Sequence, residues 1–450
     1  MKIKTFTVIT LVAAMVTSIT GCGLFSSYSF FSGSSENISD NTNAEREIIR
    51  VSWWGSQERH NITIQALDLY SEQYNTEIRS EYTTWTDYFE DLASEAVGNN
   101  MPDLIQMSTT DIIRYAEKGL LTDLYPYIES GVINTTNVDQ SALVNVIGDE
   151  HLYGYPTGVT SVSVTYVPKY FSQAGVSYPT NGWTWDEYIE TAKTIYDKTG
   201  TPSDIPFLVE ARWLFDSWVH SYGYSFFSED GNSLPWAEDE ELISDMIDAL
   251  NDIKQGIDKG YLIKPETEVN WVNSSDNPIS DGEIAMSFIL SNYYSMYCQN
   301  YGKALGLCHL PVFEDAKDSG MYLSTNMYWC ISSECENPEA AAKLLNFLVN
   351  DKSALEIIGT DRGVSVNSNI RDFLMKQSTT NKYDIAAINY ISSLSKSISD
   401  INNADPLQSA SVVNLLKANY IAFTYGEMTA EECIYDFIEQ SNAILSSKDN

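Results

Sequence analysis

The chain has 450 residues, 43% of them hydrophobic and 12% aromatic, and its 62 acidic and 26 basic side chains give a formal charge of −36. So many uncompensated carboxylates disfavour nucleic acid and anionic lipid as partners and leave neutral or cationic ligands. About 400 residues beyond the N-terminal region exceed what one core normally holds, so two domains are expected.

Lys2 and Lys4 precede a mostly apolar run, Val8 to Val16, that is too short to span a bilayer comfortably, and Ile19-Thr20-Gly21-Cys22 follows. This is the pattern of an export signal over residues 1–21. The cysteine directly after Gly21 resembles the lipobox of bacterial lipoproteins, in which the thiol is acylated and becomes the new N-terminus. An ordinary signal peptide with an incidental cysteine is the other reading. Residues 22–47 are rich in Ser, Asn and Gly without helical or strand period and read as a tether, with a reach of about 28 Å for about 25 flexible residues.

From Ile48 the chain alternates strands and helices. Ile48 to Trp53 is a β-rich run, and a helix over Glu58 to Tyr74 places Ile62, Ala66, Leu67, Tyr70 and Tyr74 on one face. Glu77 to Tyr82 reads as a strand, Thr86 as the cap of a helix carrying Phe89, Leu92, Ala93 and Ala96, and Asp103 to Met107 as a third strand after the turn ending in Pro102. A helix over Asp111 to Lys118 stops at Gly119. This order predicts a mostly parallel sheet flanked by helices, with ligands beyond the carboxyl ends of its strands, where Trp53, Trp54, Trp85, Gln106 and Met107 fall. A second α/β region begins near Thr157, with a strand over Ser161 to Tyr166, a short helix from Pro168 to Gly175, and a capping box at Thr184 and Glu187. Helices over Glu238 to Ile257, over Pro338 to Val349 with Asn337 as N-cap, and over Thr429 to Leu445 with a capping box at Thr429 and Glu432 complete the reading.

Beyond Cys22, the cysteines Cys298, Cys308, Cys330, Cys335 and Cys433 are odd in number, and Cys330 and Cys335 lack a nearby His at zinc-site spacing. Buried thiols, or at most one or two disulfides, are favoured over a metal site. No metal and no cofactor is expected.

Taken in order, Val51-Ser-Trp-Trp-Gly55, Gly98 to Asp103, Tyr115 to Leu124, Tyr153-Gly-Tyr-Pro156, Gly175 to Asp186, Asp281-Gly-Glu-Ile-Ala-Met286, Asn337 to Lys343, Arg362-Gly363 and Gly426 to Glu431 resemble extracellular solute-binding protein family 1 of bacterial ABC importers, the group that contains maltose-binding protein. The resemblance covers almost the whole mature chain. It implies an α/β, two-lobe periplasmic-binding-protein-like (type II) fold with discontinuous lobes joined by crossover hinge segments. Carried onto this sequence, the crossovers lie near Tyr155 to Ser161, Leu307 to Phe313 and Gly363 to Val366. Lobe one then combines residues 48–157 and 310–362, and lobe two residues 158–309 and 363–450.

The chain has 10 Trp and 29 Tyr, and aromatic faces suit the C–H faces of sugar rings, although any single aromatic is more often core. Position favours Trp54, Trp85, Trp213, Tyr293, Tyr294, Tyr328 and Trp329, whereas Trp183 and Trp185 fit a helix entrance. Gln57, Glu58, Gln106, Asn292, Asn326 and Arg362 are placed to satisfy sugar hydroxyls. Asp103 holds a turn or touches ligand, and Arg362 touches ligand or pairs the lobes. The resemblance implies a monomeric lipoprotein on the extracytoplasmic face of the cell membrane that captures a small solute, above all a carbohydrate, and hands it to ABC permease subunits. A cationic solute such as a polyamine is the alternative, with Glu58 or Asp103 as its partner. A secreted glycan-active enzyme is disfavoured, because no Gly-x-Ser-x-Gly elbow, His-Glu-x-x-His or phosphate loop is present and the four histidines lie in unrelated contexts.

Overall fold

The structure is a computed structural model that describes residues 46–138, 142–143, 151–206, 211–268, 277–395, 405–406 and 408–447. The export signal, Cys22 and most of the tether lie outside the described residues. In chain order the first elements are β1 (Ile48–Trp54), α1 (Gln57–Tyr74), β2 (Glu77–Thr83), α2 (Trp85–Val97), β3 (Leu104–Ser108), α3 (Thr109–Glu117) and α4 (Tyr125–Glu129). Next come β4 (Tyr155–Pro156), β5 (Val162–Tyr166), α5 (Pro168–Ala174), α6 (Trp185–Thr199), α7 (Ala211–Ser221), α8 (Glu240–Lys259) and α9 (Pro265–Glu268). They are followed by β6 (Met286–Leu290), α10 (Tyr294–Tyr301), β7 (Gly306–Cys308), β8 (Met327–Ile331), α11 (Pro338–Asn350) and α12 (Lys352–Ile358). The last are α13 (Ser368–Lys376), α14 (Lys382–Leu394), α15 (Ser409–Tyr425) and α16 (Ala430–Ser446).

The strands form two sheets, one five-stranded in the order β2-β1-β3-β8-β4 and one three-stranded in the order β6-β5-β7. Among the strands of the described residues, β2, β1 and β3 pair in parallel, whereas β8 runs antiparallel to both β3 and β4. The second sheet is antiparallel throughout. A mostly parallel architecture is thus restricted to the βαβαβ start of the chain, where each crossover helix returns the chain to the same edge.

Local signals place the helix starts. The capping boxes at Thr184 with Glu187 and at Thr429 with Glu432 are both formed, and the Asn337 side chain caps α11. The start of α2 departs from the sequence expectation. Thr84, not Thr86, occupies its N-cap and hydrogen-bonds Asp87 at 2.8 Å, which makes Trp85 the first helical residue. On α1 the buried face is not purely apolar: Arg59, His60 and Thr63 are buried with Ala66, Leu67 and Tyr70, while Tyr74 is exposed.

The sheets are joined by a ladder that leaves the first and enters the second. Tyr155 and Pro156 pair with Trp329 and Tyr328, the Thr157 amide donates to the Met327 carbonyl at 2.9 Å, and Thr160 bridges Ser324. On its other side Val159 bridges Val364. Here two glycines meet backbone to backbone: a Cβ on Gly158 would lie 2.6 Å from the Gly363 carbonyl carbon, and Gly363 has a φ of +103°.

A crossing near Leu307 to Phe313 is not where the chain passes between the sheets. Val312 exchanges backbone hydrogen bonds with Trp183 and Trp185, the Trp183 indole donates to the His309 carbonyl at 2.9 Å, and the amides of Lys317 and Asp318 donate to Ser221. This stretch stays with α6 and α7, whose Trp185 stacks on Phe288 of β6. The crossing falls at Leu323 to Met327, beside Thr160. Cys298, Cys308, Cys330, Cys335 and Cys433 are free thiols, and all but the half-buried Cys335 are buried.

Candidate functional site

At the carboxyl ends of the parallel strands, consecutive tryptophans point to opposite faces of β1. Trp54 packs its ring 5.0 Å from Trp85, 5.2 Å from Tyr88 and 5.4 Å from Phe89. Trp53 lies in register with Tyr82 of β2, at a ring separation of 5.1 Å, and Tyr82 lies over His60 at 4.3 Å. Trp54 and Trp53 are buried, but Trp85 and Tyr82 each keep 43% of their surface in solvent. This edge therefore presents two accessible rings, each braced from behind by a buried tryptophan. Gln57 and Glu58 are exposed in the first turn of α1, where the Gln57 amide donates to Asn61 at 3.0 Å.

Beneath this edge is a buried charge cluster. Arg59 Nε donates to Asp361 Oδ2 at 2.7 Å and its Nη2 to the Asp361 carbonyl at 2.9 Å. Arg362 Nε donates to Gln106 Oε1 at 2.9 Å, its Nη2 donates to Thr63 Oγ1 at 2.8 Å, and its guanidinium lies 5.4 Å from the Trp329 ring. Both arginine side chains are at most 5% exposed. Burial opposes the charge of Arg59, yet Asp361 and Tyr293 outweigh it and hold the guanidinium above its usual range. Arg362 is pulled down to about 9, by burial first and by Arg59 in addition, with Asp361 opposing. Burial, Arg362 and Arg59 together lower the basicity of His60.

The second sheet reaches this cluster through the 3-10 turn Ser291–Tyr293 that follows β6. Asn292 Nδ2 donates to the Asp361 carbonyl at 3.0 Å, and Tyr293 hydrogen-bonds Arg59. Asn326, in the crossing, donates to Thr160 Oγ1 at 2.8 Å.

The sequence candidates thus separate into groups. Trp54 and Trp85 meet in the aromatic edge, with Gln57 and Glu58 on the neighbouring helix turn. Gln106, Trp329, Arg362, Asn292 and Tyr293 meet in or beside the charge cluster. Arg362 and Gln106 are committed to each other, so their side chains tie β3, α1 and the third crossover together. Three candidates have structural duties elsewhere. The Asp103 carboxylate accepts the Arg50 amide at 2.8 Å and holds the turn before β3. The Tyr294 hydroxyl donates to the Leu305 carbonyl at 2.8 Å. Tyr328 is buried against Thr325, 2.5 Å between hydroxyls. Trp213 is a half-buried residue of α7, on the core of the second sheet. Sequence reasoning missed Tyr82, His60, Arg59 and Asp361. Tyr82 was within reach as the last aromatic of β2, one strand across from Trp53.

Two discontinuous α/β units joined by three crossing segments, with an aromatic edge at the parallel strand ends, define a two-lobe binding protein of type II. The family profile described as "Bacterial extracellular solute-binding protein" matches residues 58–355, and the chain belongs to that family. Solved structures agree on the fold. A periplasmic solute-binding protein from Pectobacterium atrosepticum is 22% identical at a TM-score of 0.74, with 89% of this chain and 98% of that one covered. A periplasmic oligogalacturonide-binding protein from Yersinia enterocolitica, in complex with saturated digalacturonic acid, is 22% identical at a TM-score of 0.73 and 89% and 99% coverage. An ABC substrate-binding protein from Listeria monocytogenes, in complex with cycloalternan, is 18% identical at a TM-score of 0.71 and 90% and 100% coverage. The family is one of solute-binding proteins rather than enzymes. No described helix is long and apolar enough to cross a membrane.

Proposed function

We propose that the chain captures a sugar or oligosaccharide between two lobes and delivers it to the permease of an ABC importer, held at the extracytoplasmic face of the membrane by a lipid on Cys22. The observation that carries the carbohydrate reading is the pair of exposed, braced rings, Trp85 and Tyr82, at the carboxyl ends of the parallel strands. Sugar C–H faces bury area against such rings while their hydroxyls stay available to polar side chains. The relatives whose structures hold oligosaccharide ligands support the same reading.

In this reading lobe one takes residues 48–157 and 325–362, and lobe two residues 158–324 and 363–447, with the boundary moved from residue 310 because 309–323 is bonded to α6 and α7. The mechanism is a shift between open and closed lobes. A sugar that touches both lobes binds the closed arrangement better, and only that difference in affinity moves the equilibrium. The chain works as a monomer. It contributes no catalysis, and ATP hydrolysis belongs to other subunits.

Thermal unfolding of the purified chain against neutral oligosaccharides, uronate oligosaccharides, spermidine and amino acids tests the reading. A ligand present at a hundredfold its Kd stabilises the native state by about 2.7 kcal/mol. A rise in Tm with saccharides alone supports it, whereas a rise with spermidine alone transfers the role to a cationic solute.

A further inference from the structure

We propose that His60, together with Trp53 and Asn292, is the hydroxyl-recognising part of the capture site and discriminates uncharged sugar hydroxyls from ammonium groups. The proposal rests on the carbohydrate reading above and identifies how that ligand is recognised.

Among the described residues, Trp53 Nε1, His60 Nδ1 and Asn292 Oδ1 are buried without a hydrogen-bond partner. Their residues are 0%, 7% and 5% exposed. The Trp53 and His60 rings are 6.2 Å apart. Arg59, next to His60 in α1, shares the Asp361 carbonyl with the Asn292 amide, at 2.9 and 3.0 Å. The three residues come from β1, α1 and the turn after β6, so both sheets contribute.

A buried donor or acceptor left unpaired opposes folding, and a native cluster of them requires a reason. Other unpaired indole nitrogens, those of Trp185 and Trp218, belong to rings packed against each other behind the second sheet, 5.6 Å apart. The Trp53 group is different, because Tyr82, whose ring lies 4.3 Å from that of His60, is 43% exposed.

The chemistry of the free atoms is that of a hydroxyl receptor. An indole N–H only donates and an amide oxygen only accepts, and a hydroxyl answers both in a single group. A primary ammonium has no lone pair for the indole and meets the charges of Arg59 and Arg362, which share one carboxylate, Asp361. A carboxylate answers the indole but not the Asn292 oxygen. Neutral hydroxyls fit, and cations are repelled.

The test uses the full chain and its His60→Phe and Asn292→Ala variants, with maltotriose, digalacturonate and spermidine as probes in thermal unfolding and titration calorimetry. Phenylalanine keeps the ring against Trp53 and Tyr82 and removes the unpaired nitrogen. The ligand-free His60→Phe protein should melt above the wild type, and both variants should lose about tenfold in affinity for the saccharide that stabilises the wild type. A lower ligand-free Tm for His60→Phe, unchanged saccharide affinity in both variants, or stabilisation of the wild type by spermidine overturns the proposal. If neither saccharide shifts the wild type, the carbohydrate function fails, and the ligand-free comparison still decides whether the His60 nitrogen serves the fold.

Discussion

The aromatic residues of the two sheets are put to opposite uses. Behind the second sheet, Trp185 stacks on Phe288, Trp218 lies edge-on to Trp185, and Trp236 packs on Phe437, and all three tryptophans are buried. At the first sheet, the buried Trp53 and Trp54 pack against Tyr82 and Trp85, which each keep 43% of their surface in solvent. Sheet topology accounts for the contrast. Parallel strands bring successive β-to-α turns to one edge, so the residues at their carboxyl ends gather there, whereas antiparallel strands split their ends between two edges. Abundance of rings says little about ligand binding. Position at a shared strand edge says more.

Substitutions in the two regions separate packing from recognition. The largest effects are expected in the interior. Trp218→Ala should cost about 3–5 kcal/mol in urea denaturation, because a fully buried ring leaves a cavity. Asp361→Ala should cost a similar amount, about 3–5 kcal/mol, by leaving Arg59 and Arg362 buried together without a carboxylate. Next in size is Gly363→Ala, about 1–3 kcal/mol, since its φ of +103° is strained for any other residue and the new Cβ would lie 2.9 Å from the Gly158 carbonyl carbon. Trp85→Ala should change stability by less than about 1 kcal/mol yet abolish the saccharide-induced rise in Tm. An intact saccharide response in Trp85→Ala would break the distinction between the two aromatic regions.

The smallest expected effect is a pH dependence. Burial, with Arg362 and Arg59 adding to it and Asp361 opposing, lowers the proton affinity of His60 below the ordinary value of 6.5. The unfolded chain therefore takes up a proton that the folded one resists, so the neutral ring's contribution is intact above that range and lost as pH falls through it. His60→Phe carries no such loss, and its Tm advantage over the wild type should widen between pH 7.5 and pH 5. A constant difference across that interval would show that His60 titrates as it does in the unfolded chain.

Much of the fold was legible because its signals are local. A β-rich run marked β1, alternation marked β5, and Thr184, Asn337 and Thr429 announced helix starts through hydrogen bonds that span three residues. What stayed hidden depends on distant chain. Arg59, His60 and Thr63 look like a solvated helix face until Asp361 and Arg362 arrive some 300 residues later to bury them. The crossing near Leu323 was misplaced for a related reason: residues 309–323 have no regular element, and only their bonds to Trp183, Ser221 and Asp216 assign them to the second sheet. In the candidate site, Trp54 and Trp85 were readable from their place at the end of β1 and just after β2. Tyr294, Tyr328 and Asp103 were not separable from ligand contacts, because a buried hydroxyl or carboxylate bonded to its own chain has the same local sequence as one held open for a solute.

Closure of two lobes over a sugar is measured directly by small-angle X-ray scattering of the chain with and without the saccharide that raises its Tm. A smaller radius of gyration in the saturated protein is the expected result. Saccharide binding at an unchanged radius of gyration would contradict it.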